Sequence, residues 1–267
     1  MSRHSESAAG ETSGLDDSLP LGRGVRVLAA DPNGLLALEK PAQLLSHPNT
    51  ARDHGKSLLR ALYDLDAECY QWEGGADSPA PGRLWLLNRL DSATSGVILG
   101  AVDPAVAAAV RREFAAGRVK KTYLALVFGT PRRPRESWTD SLAVERRNGK
   151  LRTRDGGNRR ATAEAILEKR FSGPQDVSLI TLVPGTGRTH QLRVQCARRG
   201  LPIVGDKTYG RFRANREFVR ITGDKRLFLH CAATSLAYTH NGRTFRFEAR
   251  AAVPDVFDHP FGKGDAG

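Results

Sequence analysis

The sequence predicts an α+β fold, with a mixed, mostly antiparallel β-sheet flanked by helices. Segments rich in Val, Leu, Ile and Phe outnumber helical ones, and most follow one another directly along the chain, as antiparallel neighbours do. Two other stretches carry the caps and terminators of helices. Hydrophobic residues make up 40% of the 267 positions, ordinary for a globular protein, and the length suits one large domain. The expected layout is a disordered tail over residues 1–20, a single domain over 21–255, and a C-terminal tail over 256–267. The first tail is small and polar and cannot bury enough apolar surface to order itself.

In chain order, residues 25–30 (VRVLAA) and 34–40 (GLLALEK) predict two strands about the Asp31–Gly34 turn, Asp-Pro-Asn-Gly. Residues 56–68 place Leu58, Leu59, Leu62 and Leu65 at helical spacing and predict a helix. A loop is expected over 75–82, then strands over 83–88 and 96–102. Residues 103–117 predict a helix with Asp103 as N-cap, Pro104 in the first helical position and Gly117 closing it. A strong strand follows at 119–129.

Residues 131–160 hold ten Lys and Arg against four Asp and Glu, about half of the whole chain's net charge of +12. This basic segment is either a hairpin or a loop that orders on binding. Residues 160–170 and 176–185 predict an antiparallel pair. Residues 188–200 predict a helix capped by Thr189 and ended by Gly200. The last strands, 227–238 and 243–250, are joined by a His-Asn-Gly turn.

A pI near 10.1 with Arg in excess of Lys favours a polyanionic partner, most simply nucleic acid. A merely solvated cationic surface is the plainer alternative. Cys69, Cys196 and Cys231 are odd in number and far apart, which argues against a disulfide framework or a zinc site and fits a reducing cytoplasm. The N-terminus has no apolar core of the kind a signal peptide needs, and no apolar run approaches a membrane span. The chain lacks a phosphate-binding glycine loop, a dinucleotide fingerprint, a GxSxG elbow and paired metal-ligand histidines.

What remains is a carboxylate beside an arginine in LNRLDSATSG (87–96), a Tyr on the 119–129 strand, and a segment opening RTHQLR. An ionised Asp held by Arg can act as a nucleophile, and a phenol can stack on a flat ring or exchange a proton. Each residue also has a plain reading. Asp91 caps its own turn, Tyr123 fills a strand, and Arg193 is a surface cation on a helix.

LNRLDSATSGVILGA closely resembles the HRLD-x-x-TSG signature of the RluA-type pseudouridine synthases. LLALEKPAQLLSHP (35–48) is similar to the family's early KP…HP segment, and KKTYLALVFG (120–129) to its K-x-Y-x-A-x-V-x-G strand. GRTHQLRVQCARRGLPIVGDKTYG (187–210) resembles its GRTHQ-x-R-V helix and GD-x-x-YG loop, and LFLHCAATSL (227–236) its late LHA strand. The blocks keep the family's order over most of residues 25–250.

This resemblance implies a pseudouridine synthase-like catalytic fold with a central active-site cleft. The implied enzyme isomerises a uridine of ribosomal or transfer RNA to pseudouridine without cofactor or metal, as a monomer in the cytoplasm. By position, Asp91 would be the nucleophile, Tyr123 would lie against the base and assist proton transfer, and Arg193 would pair with Asp91. Arg89 would enter the stack that the uridine leaves. Asn88, Thr94, Arg188, His190 and Gln191 would complete the substrate contacts, although His190, like His47 and His230, also reads as a structural hydrogen-bonder. Flipping the base costs a few kcal/mol, which phosphate contacts from the basic surface, the 131–160 segment above all, would offset.

Two positions depart from the pattern. Asn88 stands where the family usually has His, and VQC follows Arg193 where VH is common. The alternatives are an RNA-binding or ribosome-assembly factor that has lost catalysis, and a phosphoryl-transfer or hydrolytic enzyme built on Asp91.

Overall fold

The computed structural model describes residues 18–74, 80–147 and 150–262. Parts of the expected tails (1–17 and 263–267), of the 75–82 loop (75–79) and of the basic segment (148–149) lie outside the described residues. The chain divides into two compact units. One comprises residues up to Val119 with Thr234–Ala251, the other Lys120–Ala233 with the chain from Ala252 on.

In the first unit, β1 (Arg26–Ala30) pairs antiparallel with β2 (Leu35–Lys40) about the expected turn. Asp31 builds that turn by accepting from the backbone N–H of Asn33 and Leu35 through Oδ1, both at 3.0 Å. Three short strands follow: β3 (Leu62–Asp64), β4 (Cys69–Trp72) and β5 (Gly82–Leu86). All seven residues of β6 (Ser95–Ala101) are buried, and β2 lies antiparallel along it from Leu35↔Ala101 to Lys40↔Gly96. A Cβ at Gly100 would come within 2.9 Å of the buried Leu84 side chain, which would have to shift to admit it. Helix α1 (Pro104–Ala115) starts as its punctuation predicts, with the Asp103 carboxylate accepting from the N–H of Ala105 and Val106 at 2.8 and 2.9 Å.

The helix expected over 56–68 does not form. Lys56 closes a 3₁₀ turn (Ala51–Lys56), Leu58 and Leu59 are both fully buried, and Leu62 and Leu65 are 68% and 63% exposed. Leu62, three and four residues on from Leu59 and Leu58, would share their face of a helix, yet it stands in solvent. The backbone here is satisfied by another segment instead. Gly22 N–H donates to the Leu58 carbonyl at 2.8 Å, and Arg60 N–H donates to that of Pro20 at 2.7 Å. Tertiary pairing overrides the local spacing.

The second unit is a ladder in the order β7 (Lys120–Phe128), β11 (Val177–Pro184), β10 (Arg159–Phe171), β8 (Arg135–Arg147) and β9 (Lys150–Asp155), antiparallel throughout. The basic segment is thus a β8–β9 hairpin, the first of its two readings. Helix α2 (Gln191–Arg198) is shorter than expected at both ends. It begins after His190, whose φ of 52° is left-handed, so Thr189 is not the cap. Helix α3 (Phe212–Thr222) was not predicted; of its eleven residues only Phe218 is buried.

Strand β12 (Leu229–His240) carries the chain back to the first unit. A tight turn with positive φ at Asn241 and Gly242 joins it to β13 (Arg243–Arg250). Phe257, inside the stretch expected to be a C-terminal tail, is fully buried with its ring 5.5 Å from that of Phe228. Cys69, Cys196 and Cys231 are buried thiols, none in a disulfide.

Candidate active site

Within the first unit, residues 87–94 link β5 to β6 and are pinned along their length. Leu87 N–H donates to the Leu99 carbonyl at 3.0 Å, and Asn88 Oδ1 accepts from Leu99 N–H at 2.8 Å. Asn88 therefore serves the loop backbone. Ser46 clamps Leu90 twice, its Oγ accepting from Leu90 N–H at 3.0 Å and donating to the Leu90 carbonyl at 2.8 Å. Thr94 is buried, and its N–H donates to the Asp91 carbonyl at 3.0 Å to close the turn. Asp91 is left half-buried at the corner, and Arg89 is exposed with Nη1 3.4 Å from His47 Nε2. His47 is itself stacked on Tyr63 at 4.8 Å, so that side of Arg89 has a fixed wall.

Sequence reasoning passed over Lys40. It lies at the end of β2, in phase with Leu36 and Leu38, and is fully buried. Its Nζ donates to the carbonyls of Leu44, Pro41 and Ser92 at 2.7, 3.0 and 3.1 Å. Burial pulls its pKa down to about 7, while the Asp91 charge pulls it up. A buried ammonium thus underlies the Asp91 turn and is electrostatically coupled to its carboxylate. The signal was a lysine in phase with Leu36 and Leu38 at the end of a mostly apolar strand, just before Pro41.

Within the second unit, Tyr123 is buried on β7 opposite Leu182 of β11. Lys121 lies two residues earlier on the same face of the strand. Burial lowers its pKa, against the opposing influence of Cys231.

Arg193 on α2 is buried and pairs bidentately with Asp206, Nε to Oδ2 and Nη2 to Oδ1, both at 2.8 Å. Oδ1 of Asp206 also accepts from the N–H of Thr208 and Tyr209, at 2.8 and 3.0 Å. Burial pushes the Asp206 carboxyl up, but the Arg193 hydrogen bonds and charge, with those two N–H groups, leave it below the usual carboxylate range. By motif, Asp206 is only a member of the GD-x-x-YG loop. Its link to Arg193 runs between segments 13 residues apart, which spacing does not reveal.

The Tyr209 ring lies under the Arg193 guanidinium at 5.2 Å. Its hydroxyl bonds to His190 Nδ1 and accepts from Thr153 N–H, both at 2.9 Å. Gln191 is buried, and its carboxamide accepts from Thr186 Oγ1 and Arg188 N–H and donates to the Thr162 carbonyl, at 2.7, 3.1 and 2.9 Å. His190 and Gln191 thereby shape the start of α2, while Arg188 presents an exposed guanidinium.

Residues 34–198 match the model of the RNA pseudouridylate synthase family, a span that contains Asp91, Tyr123 and Arg193. The chain belongs to that family. As a pseudouridine synthase it is an isomerase whose partner is RNA, as the motif resemblance implied. It is 30% identical over 226 residues to tRNA pseudouridine synthase C of Pasteurella multocida (strain Pm70), covering 81% of this chain and 86% of that one. It is also 30% identical over 228 residues to ribosomal large subunit pseudouridine synthase C of Escherichia coli (strain K12), covering 84% of this chain and 66% of that relative. The solved structure of human RNA pseudouridylate synthase domain containing 1 superposes with a TM-score of 0.64 at 21% identity, over 90% of this chain and 88% of the human one. It supports the pseudouridine synthase fold expected from the sequence.

Proposed function

We propose that this pseudouridine synthase acts on ribosomal or transfer RNA as a cytoplasmic monomer, with Asp91 as its nucleophile. The observation that carries this reading is the pinned 87–94 turn, which lies within the family match and presents a half-buried carboxylate with a buried ammonium beneath it. The target uridine leaves its stack, since its ring is unreachable inside a helix. Asp91 engages the extruded nucleotide while the bond between N1 and C1′ breaks. The uracil turns, C5 bonds to C1′, the C5 proton departs and N1 gains a proton, so the sum is an isomerisation.

Tyr123 supports the base and assists the proton transfer, and Arg193 is the cation matched to Asp91. Arg89, exposed beside His47, enters the gap in the stack. Thr94 acts by closing the Asp91 turn, and Asn88, His190 and Gln191 act by shaping their backbone segments. Arg188 is exposed and suits a phosphate. The β8–β9 hairpin contributes affinity through its arginines.

Pseudouridine mapping of total RNA tests this reading, in a strain lacking the protein and complemented by wild type or by Asp91→Ala. One or a few sites should vanish and return only with wild type. Unchanged sites, or full rescue by Asp91→Ala, would leave an RNA-binding or ribosome-assembly factor as the better account.

A further inference from the structure

From Lys207 to Arg226, helix α3 and the residues flanking it carry Lys207, Arg211, Arg213, Arg216, Arg220, Lys225 and Arg226 against Glu217 and Asp224. At 3.6 residues per turn, Phe212, Arg213, Arg216 and Arg220 fall within an arc of about 100°. All four are exposed, Phe212 by 57%. The opposite side packs down through Phe218, whose ring lies 5.3 Å from Phe228 and 6.3 Å from Phe128.

Two features make this stripe costly for a face that only meets water. Like charges at i,i+3 and i,i+4 oppose each other in Arg213–Arg216 and Arg216–Arg220, and Glu217 bonds to Arg220 alone among them, at 2.6 Å. A phenylalanine in the first turn is left largely in solvent beside them. We infer that the Phe212–Arg220 face of α3 is an RNA-docking surface, whose arginines grip consecutive phosphates and whose Phe212 stacks on an unpaired base.

Arginine rather than lysine at all three positions suits bidentate phosphate contact. An exposed ring among arginines suits unpaired RNA, whose bases stack on aromatic side chains. The three arginines extend over about 10 Å of helix axis, room for two or three phosphates of one strand. The surface is also held firmly to the Asp206 loop. Asn215 of α3 accepts from Gly205 N–H at 2.8 Å and donates to the Asp206 carbonyl at 2.9 Å, and Asp206 in turn holds Arg193. RNA bound along α3 would therefore lie on an element tied to the Arg193 pair. The inference rests on the RNA-modifying reading above.

The test compares full-length wild type with three exposed-residue variants. They are the triple Arg213→Gln, Arg216→Gln, Arg220→Gln, the single Phe212→Ala, and a charge-matched control on β13, Arg243→Gln, Arg246→Gln, Arg250→Gln. The probe is a labelled RNA stem-loop with single-stranded flanks, titrated over a range of salt. The α3 triple should bind about tenfold more weakly at physiological salt and reduce the slope of log K against log salt by about 2, some 0.7 per lost phosphate contact. The β13 control should lose less than half as much. Phe212→Ala should weaken binding only when the flanks are present, with the slope kept.

Equal losses in the two triples, or an unchanged slope in the α3 triple, would overturn the docking surface and leave the face to solvent or an acidic protein. Loss of flank dependence in wild type would overturn the stacking role. Cellular pseudouridine mapping separates this from failure of the underlying reading. If wild type installs pseudouridine while the α3 triple binds normally, only the surface is wrong. If wild type installs none, the reading itself falls.

Discussion

Asp91 occupies a turn whose neighbours are committed to holding its shape. Leu87, Asn88, Leu90 and Thr94 all have their hydrogen bonds directed to backbone, within the loop or on β6, or to Ser46. Asp91→Asn keeps this geometry and removes the charge. It should lower kcat at least about a thousandfold, with RNA affinity unchanged in a direct binding assay. Lys40 gives a second prediction, read by urea denaturation. Folding lowers its pKa from 10.5 to about 7, so between these values the unfolded chain holds the extra proton. Stability through this group therefore rises with pH across that window, by up to about 1.4 kcal/mol per unit. Lys40→Met should flatten the rise between pH 7 and pH 9. At pH 9 it should also be less stable than wild type by about 2–4 kcal/mol, since the neutral amine still donates two hydrogen bonds to these carbonyls and methionine donates none.

Helix α2 and the Asp206 loop depend on each other. Asp206→Asn takes from the buried Arg193 guanidinium the carboxylate it pairs with bidentately, which should cost about 3–5 kcal/mol in a denaturation experiment. Pseudouridine formation should fall with it, since Arg193 loses its orientation. The same elements show what a sequence pattern can and cannot convey. Strands were legible because alternation and turn residues are local, as in β1–β2 about Asp31 or β12–β13 about Asn241 and Gly242. The helix drawn through Leu58 and Leu62 failed because the partner of that backbone is residues 20–22, which no local periodicity contains. α3 stayed hidden because its exposed face is charged and only Phe218 among its eleven residues is buried. Asp91, Tyr123 and Arg193 were singled out by motif. Lys40 and the Asp206 partnership required the three-dimensional fold.

At the scale of the molecule, a net charge of +12 predicts binding dominated by released counterions. RNA affinity should fall more than about tenfold between 50 and 200 mM salt, with kcat at saturating RNA almost constant, as steady-state kinetics would show. No helix among the described residues is long and apolar enough to cross a membrane. The two compact units each hold their own buried thiols, Cys69 in one and Cys196 and Cys231 in the other. Burial raises the pKa of Cys69 and Cys196, which withholds the reactive thiolate. The natural chain is therefore already fitted with reporters of its own opening. Brief alkylation in rising urea, followed by mass spectrometry of each cysteine peptide, reads the two units separately without any engineered label. Coincident transitions at all three cysteines would show the units melting as one cooperative body, and an earlier transition at Cys69 would show the Asp91 unit giving way first.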